Sequence, residues 1–165
     1  LCDESDIREV LTRYCRATDR CDLDLLKSVY WPDATDDHVV FSGNAMDYAE
    51  YSAPMLKQHT KATMHTIFNC WIQLEGDVAV AETYVQAWHL MNTEDKTEVV
   101  VGGRYLDRLE KRNGEWRIAE RNVIIDWEHN GTDMMSPEEI AKVYADKRHR
   151  DEKSYRLFRN KTLTT

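Results

Sequence analysis

The chain has 165 residues and a formal net charge of −8, from 22 basic and 30 acidic residues. This length suits a single folded domain that needs no disulfide or zinc ion to hold its core. The acidic balance excludes a general nucleic-acid-binding protein, whose surface should be basic.

Hydropathy and cysteine usage narrow the class of protein further. No apolar run approaches the roughly 18 residues of a membrane-spanning helix, and no signal peptide is recognisable. The four cysteines form no CxxC pair and are too sparse for a secreted disulfide framework. We therefore expect a cytoplasmic protein that does not bind membranes.

The charge is unevenly distributed along the chain. Residues 147–161 hold seven Lys or Arg and two acidic residues, a net charge of +5, which leaves −13 on residues 1–146. We divide the chain accordingly into a folded domain, 1–146, and a basic C-terminal tail, 147–165.

The N-terminal third has the periodicity of helices. A first helix carries apolar residues at i, i+3, i+4, i+7 and i+8, with Asp3 or Ser5 as its N-cap; these residues are Ile7, Val10, Leu11, Tyr14 and Cys15. A second helix starts near Asp22, includes Val29 and Tyr30, and stops before Pro32. A third pattern covers about residues 45–60, where Pro54 either kinks or splits the helix.

From about residue 71 the pattern becomes that of strands. Gly76-Asp77 is a hairpin turn signal between residues 71–74 and a long β-rich run at 78–91. Asn113-Gly114 is a second such signal, and it separates β-rich runs at 97–112 and 115–127. Gly102-Gly103 predicts a β-bulge where one strand bends. Ser136 is the expected N-cap of a final helix that leads into the tail.

Helices followed by an antiparallel meander indicate an α+β fold. The long strands predict a curved, mostly antiparallel sheet that holds the N-terminal helices in its concave face. Such a sheet encloses a pocket, and pockets of this kind are common ligand sites.

Asp19, His65 and Tyr14 are the first candidates for catalysis. Asp19 stands at the end of the first helix, and His65 lies between the helical third and the first predicted sheet strand. A carboxylate that keeps one imidazole nitrogen protonated leaves the other nitrogen as a base. The Tyr14 hydroxyl would then assist a leaving group or a developing oxyanion. The alternative is purely structural: a capping Asp, a core His and a packed Tyr.

Several further residues are candidates for substrate binding. His38 shares a strand face with Asp36 and would line the pocket, Asn69 could donate to a substrate oxygen, and Arg104 could bind an anionic or carbonyl group. Trp88 is either core or a stacking surface. No HxxxH or HExxH pattern is present, so we predict no metal site.

The order of several segments resembles the SnoaL-like branch of the nuclear-transport-factor-two-like (ketosteroid-isomerase-like) superfamily. The segments that carry the resemblance are YCRATDRCD, DATDDHVVFSG, ATMHTIFN, GDVAVAETY and GGRYLDRLEKRNGEWRIAERNVIIDW. The resemblance extends over about residues 3–150 and implies a cone-shaped α+β barrel.

Within that branch the chain is similar to bile-acid 7α-dehydratase, hexachlorocyclohexane dehydrochlorinase and, more remotely, scytalone dehydratase. The resemblance implies an Asp–His dyad formed by Asp19 and His65, with Tyr14 as the pocket tyrosine. It also places His89 where scytalone dehydratase has a second histidine. A pocket arginine of the bile-acid enzyme falls near Ile125 here, so its role does not carry over.

The residues and the resemblance together predict a cofactor-independent lyase acting on a small hydrophobic, cyclic or aromatic substrate. Alternatives are a C–C lyase that releases a small aldehyde, a ketosteroid-isomerase-like isomerase, and a non-catalytic binding or assembly subunit. The resemblance also implies a homo-oligomer, a trimer or a dimer. We expect residues 147–161 to pack on the acidic surface of a neighbouring subunit.

Overall fold

The computed structural model describes residues 2–95 and 97–132. Three helices occupy Cys2–Arg20 (α1), Leu23–Ser28 (α2) and Ala45–His59 (α3). Six strands occupy Tyr30–Asp37 (β1), Ser42–Asn44 (β2), Thr60–Glu75 (β3), Val78–Met91 (β4), Thr97–Arg112 (β5) and Glu115–Thr132 (β6). The helix predicted from Ser136 and the tail at 147–165 lie outside the described residues.

The strands form one sheet in the order β2-β1-β6-β5-β4-β3. Only the β1–β6 pair is parallel, and the other described pairs are antiparallel. The sheet curves without closing, so β2 and β3 are edge strands. The predicted α+β class with a curved, mostly antiparallel sheet is therefore confirmed.

α1 buries its apolar stripe as its periodicity predicts. Ile7, Val10, Leu11 and Tyr14 are at most 2% exposed and join a core with strand residues such as Leu109. The predicted N-cap is wrong, because α1 begins at Cys2 and Asp3 lies in its first turn. Asp3 instead accepts hydrogen bonds from Lys111 and Trp116, each at 2.7 Å, which ties α1 to the β5–β6 hairpin.

The predicted end of the second helix is also wrong. α2 ends at Ser28, Val29 is its C-cap, and Tyr30 begins β1, which includes Pro32. The third helix runs without a break through Pro54.

The sheet begins earlier in the chain than predicted. β3 starts at Thr60 rather than near residue 71, because β4 pairs with it over its whole length, from Glu75↔Val78 to Thr60↔Met91. His65 therefore lies within a strand instead of before one. β6 likewise continues past residue 127 because it pairs with β5 as far as Thr97↔Thr132.

The predicted bulge at Gly102-Gly103 is confirmed. Gly102 pairs with Trp127 and Gly103 with Ile125, which leaves Asp126 as the extra residue on β6. A Cβ atom at Gly103 would collide with the Ile124 carbonyl oxygen, so the close approach of the two backbones requires glycine.

Among the described residues, no helix combines the length and apolar character needed to cross a bilayer.

Candidate active site

The C-terminal end of α1 positions Asp19. Cys21 adopts a left-handed backbone (φ 49°), and the amides of Cys21 and Asp22 donate to the carbonyls of Thr18 and Ala17 at 3.0 and 2.9 Å. This pair of bonds is a Schellman motif, which satisfies helix carbonyls and turns the chain sharply. Asp22 then caps α2 by accepting from the Leu25 amide. Asp19 is consequently fixed in the last turn of α1, and its side chain reaches β3.

The Asp19 carboxylate is held by two residues of β3. It accepts from the Thr63 hydroxyl at 2.8 Å, from the His65 amide at 3.0 and 3.1 Å, and from His65 Nδ1 at 2.7 Å. A carboxylate at a helix C-terminus is electrostatically unfavourable on its own. The donors from β3 therefore stabilise it and fix its orientation.

The contact between Asp19 and His65 determines the tautomer of the imidazole. A carboxylate only accepts hydrogen bonds, so Nδ1 is the donor in this contact, and in a neutral imidazole Nε2 then has the free lone pair. The two side chains are 13% and 8% exposed, respectively. The His65 imidazole is thus held in one orientation and shielded from bulk water.

His65 lines a cavity of about 190 Å³ between the helices and the concave face of the sheet. Most of the lining is apolar and includes Met55, Leu56, Val85, Val101, Val123 and Ile125. His89 also lines the cavity, with its ring 5.6 Å from that of His65 in an edge-to-face arrangement. A cavity of this kind suits a small, largely hydrophobic molecule.

A second Asp–His pair lies at the same cavity. His38 lines it and places Nδ1 2.9 Å from the carboxylate of Asp36, which is 1% exposed. The Tyr30 hydroxyl donates to the other carboxylate oxygen at 2.6 Å. Asp36 and His38 were predicted to share one face of a strand; they do lie side by side, but His38 follows the end of β1.

Tyr14 reaches the cavity only through another residue. It is fully buried, its hydroxyl lies 3.4 Å from that of Tyr48, and Tyr48 rather than Tyr14 lines the cavity. Burial raises the pKa of Tyr14 to about 12, so its hydroxyl stays protonated in the neutral range. The Arg121 guanidinium covers its ring at 3.9 Å.

The structure places three predicted binding residues away from the cavity. Side chains alternate along a strand, so Trp88 and Arg104 face away from the cavity-lining neighbours His89 and Gly103. Trp88 donates to Glu98 at 3.1 Å, and Arg104 donates to Glu82 and Asp126 at 2.9 Å. Asn69 is exposed, in a stretch of β3 where the pairing with β4 shifts register.

Two cavity residues, Tyr48 and Ser52, were not singled out by the sequence. Both lie on the buried face of α3, which otherwise consists of Ala45, Ala49, Ala53 and Leu56. The i, i+4 spacing of two hydroxyl residues between alanines was the available signal.

Among the described residues, no cluster of three or more His, Cys, Asp or Glu side chains has a metal-binding arrangement.

The fold and this site define the class of protein. A model of the SnoaL-like domain matches residues 1–122, and the chain belongs to that family within the nuclear-transport-factor-two-like superfamily. No curated protein matches the chain by sequence.

Solved structures share the fold at low sequence identity. A type 2 hexachlorocyclohexane dehydrochlorinase superposes with a TM-score of 0.72 at 17% identity, over 82% of this chain and 95% of that chain. A candidate scytalone dehydratase from Novosphingobium aromaticivorans gives 0.72 at 17% identity, over 81% and 91%. A protein of unknown function with a cystatin-like fold from Nostoc punctiforme gives 0.63 at 21% identity, over 75% and 91%.

Proposed function

We propose that the protein is a cofactor-independent lyase that eliminates a group from a small hydrophobic, cyclic or aromatic substrate. The observation that carries the proposal is the 2.7 Å contact between Asp19 and His65 Nδ1 at the wall of an apolar cavity. Two of the structural neighbours are named as a dehydrochlorinase and a candidate dehydratase, both elimination enzymes.

The reaction begins with proton abstraction from carbon. His65 Nε2 takes the proton, and the electrons of the C–H bond form the double bond as the leaving group departs. Asp19 keeps the imidazole in the reactive tautomer and stabilises the imidazolium that forms. Because the surrounding lining is mostly apolar, these fixed charges act at low dielectric, where they contribute most to the rate.

The test is a screen of small cyclic and aromatic alcohols and halides with three variants beside the parent protein. We expect His65→Ala and Asp19→Asn each to lower kcat by roughly 10²–10⁴-fold, the usual contribution of a positioned acid or base. His59→Ala is the matched control, because His59 is exposed at the end of α3 and should retain the parent rate.

Two outcomes would contradict the proposal. Turnover that survives both His65→Ala and Asp19→Asn would exclude the Asp–His dyad. Tight binding of panel compounds with no turnover by the parent protein would instead favour a non-catalytic binding module.

A further inference from the structure

One wall of the cavity carries two hydroxyl groups that the proposed base does not use. Tyr48 and Ser52 lie one helical turn apart on α3, so their side chains point in the same direction. Both line the cavity that His65 lines from β3. A histidine of the sheet and two hydroxyl-bearing residues of a helix therefore line the same cavity.

The Ser52 hydroxyl is buried without a partner. Ser52 is only 2% exposed, and its Oγ atom has no hydrogen-bond partner among the described residues. An unsatisfied buried hydroxyl costs about 1–3 kcal/mol. A hydroxyl left in this state on a cavity wall indicates that a ligand atom completes its hydrogen bonding.

Tyr48 is the end of a hydrogen-bonded chain that continues through His38 to Asp36. His38 Nε2 lies 3.0 Å from the Tyr48 oxygen, and the two rings stack at 4.4 Å. The other nitrogen of His38 faces the Asp36 carboxylate, which the Tyr30 hydroxyl also contacts. This chain can supply a proton to the Tyr48 oxygen from behind.

The turn that presents His38 is strained. Val39 has φ 63°, an unfavourable conformation for a β-branched residue, and the Val40 amide donates to the His38 carbonyl at 2.6 Å. Strain of this kind persists where the surroundings fix it, and it clusters at functional sites. The strained turn therefore agrees with a functional role for His38.

We propose that Tyr48 and Ser52 bind the leaving hydroxyl of the substrate and that Tyr48, backed by His38 and Asp36, donates the proton with which it departs as water. This inference rests on the proposed elimination and specifies its substrate as an alcohol. In this step the His38 ring would donate from Nδ1 to the Asp36 carboxylate and from Nε2 to the Tyr48 oxygen.

The step balances as a dehydration. His65 takes the proton from carbon, the C–H electrons form the C=C bond, and the C–O electron pair leaves on oxygen. That oxygen takes the Tyr48 proton and departs as water, and Tyr48 recovers a proton from His38. His65 then releases its proton to solvent, and His38 takes up a proton from solvent. Both histidines are thereby returned to their starting protonation. A halide would leave as an anion and would need no such donor.

The first test measures binding without turnover, with 2-indanol and indane as probes in NMR titrations. We expect Tyr48→Phe and Ser52→Ala each to weaken binding of 2-indanol by about two- to tenfold, the usual effect of one hydrogen bond. Binding of indane should not change. Tyr84→Phe and Ser5→Ala are matched controls, since Tyr84 and Ser5 are exposed. If the two substitutions weakened the binding of 2-indanol and of indane equally, or changed the binding of neither, the proposed oxygen-binding site would be overturned.

The second test compares an alcohol substrate from the screen with the chloride of the same carbon skeleton. Tyr48→Phe should lower kcat for the alcohol by roughly 10²–10⁴-fold and leave chloride elimination within about tenfold. His65→Ala should lower both. An equal effect of Tyr48→Phe on both substrates would overturn its role as proton donor. Selective 2-indanol binding with no turnover of either substrate would contradict the proposed lyase but not the oxygen site.

Discussion

At the scale of single residues, the position of Asp19 depends on an unfavourable backbone conformation at Cys21. Cys21 adopts the left-handed region that ends α1, and the Schellman bonds made there orient Asp19 toward β3. Non-glycine residues pay about 1–2 kcal/mol in this region, and glycine does not. The position therefore has a residue type that its conformation does not favour.

Cys21→Gly should raise the free energy of unfolding by about 1 kcal/mol, because it removes this backbone strain. Urea denaturation followed by circular dichroism measures the change. Cys21→Ala is the control and should give no such gain, since alanine keeps the Cβ atom. An equal gain from both substitutions would show that loss of the thiol, rather than relief of strain, is responsible.

The candidate base could be named from the sequence, but its surroundings could not. His65 and Asp19 are 46 positions apart, and the resemblance to family motifs brought them together before any geometry was available. Tyr48 and Ser52 escaped notice because hydroxyl residues on a helix are ordinary, and only the fold shows that this face lines a cavity. Trp88 and Arg104 were attractive by residue type, but strand alternation points them the other way.

At the scale of secondary-structure elements, β5 and β6 are joined by a buried ion pair. Asp107 and Arg121 are cross-strand partners, and Arg121 donates two hydrogen bonds to the carboxylate at 2.7 and 2.8 Å. The guanidinium also lies over the rings of Tyr14 and Tyr105, at 3.9 and 4.1 Å. The pair therefore connects the hairpin to α1 beneath the cavity.

Asp107→Asn should destabilise the protein by about 3–5 kcal/mol, because it leaves the buried Arg121 charge without its counterion. The measurement is a double-mutant cycle with Arg121→Met in urea denaturation. The double variant should cost clearly less than the sum of the single variants, since it removes both charges. Additive effects would show that the two side chains do not act as a pair.

Which helices and strands form was largely predictable from the sequence, but the residues at which they begin and end were not. Periodicity identified α1, and turn dipeptides marked the β3–β4 and β5–β6 turns. The first eleven residues of β3 were missed because their sequence lacks regular alternation, and only pairing with β4 makes them a strand. Long-range pairing of this kind is not encoded in any local pattern.

At the scale of the whole molecule, the core contains ionisable groups that are buried in their neutral form. Burial raises the pKa of Cys15 from 9.0 to about 12 and that of Tyr14 from 10.0 to about 12. It also raises those of Tyr30, Tyr48 and Tyr105. Their deprotonation is therefore easier in the unfolded chain than in the folded protein.

The thermal midpoint should consequently be constant through neutral pH and fall as the pH rises from about 9 toward 12. The sign follows from the direction of the shifts: a raised folded pKa gives stability that is present below the unfolded pKa and lost above it. Calorimetry across this range measures the effect. Cys15→Ala should reduce the initial part of the fall, and a midpoint that stays constant to pH 11 would contradict the account.

The charge asymmetry of the chain leads to a prediction about assembly. Residues 147–161 carry +5 and residues 1–146 carry −13. If the tail packs on a neighbouring subunit, removal of residues 147–165 should shift sedimentation toward the monomer at moderate salt. High salt should have the same effect on the full chain, because it screens the attraction. An unchanged sedimentation profile would show that the tail does not contribute to assembly.

The central claim is that Asp19 holds His65 as a base in a single tautomer. The most direct measurement is ¹⁵N NMR of the His65 ring in the parent protein and in Asp19→Asn. We expect a protonated Nδ1 and an unprotonated Nε2 in the neutral His65 ring of the parent protein, with this preference lost in the variant. A proton on Nε2 in neutral His65, or the same tautomer in both proteins, would contradict it.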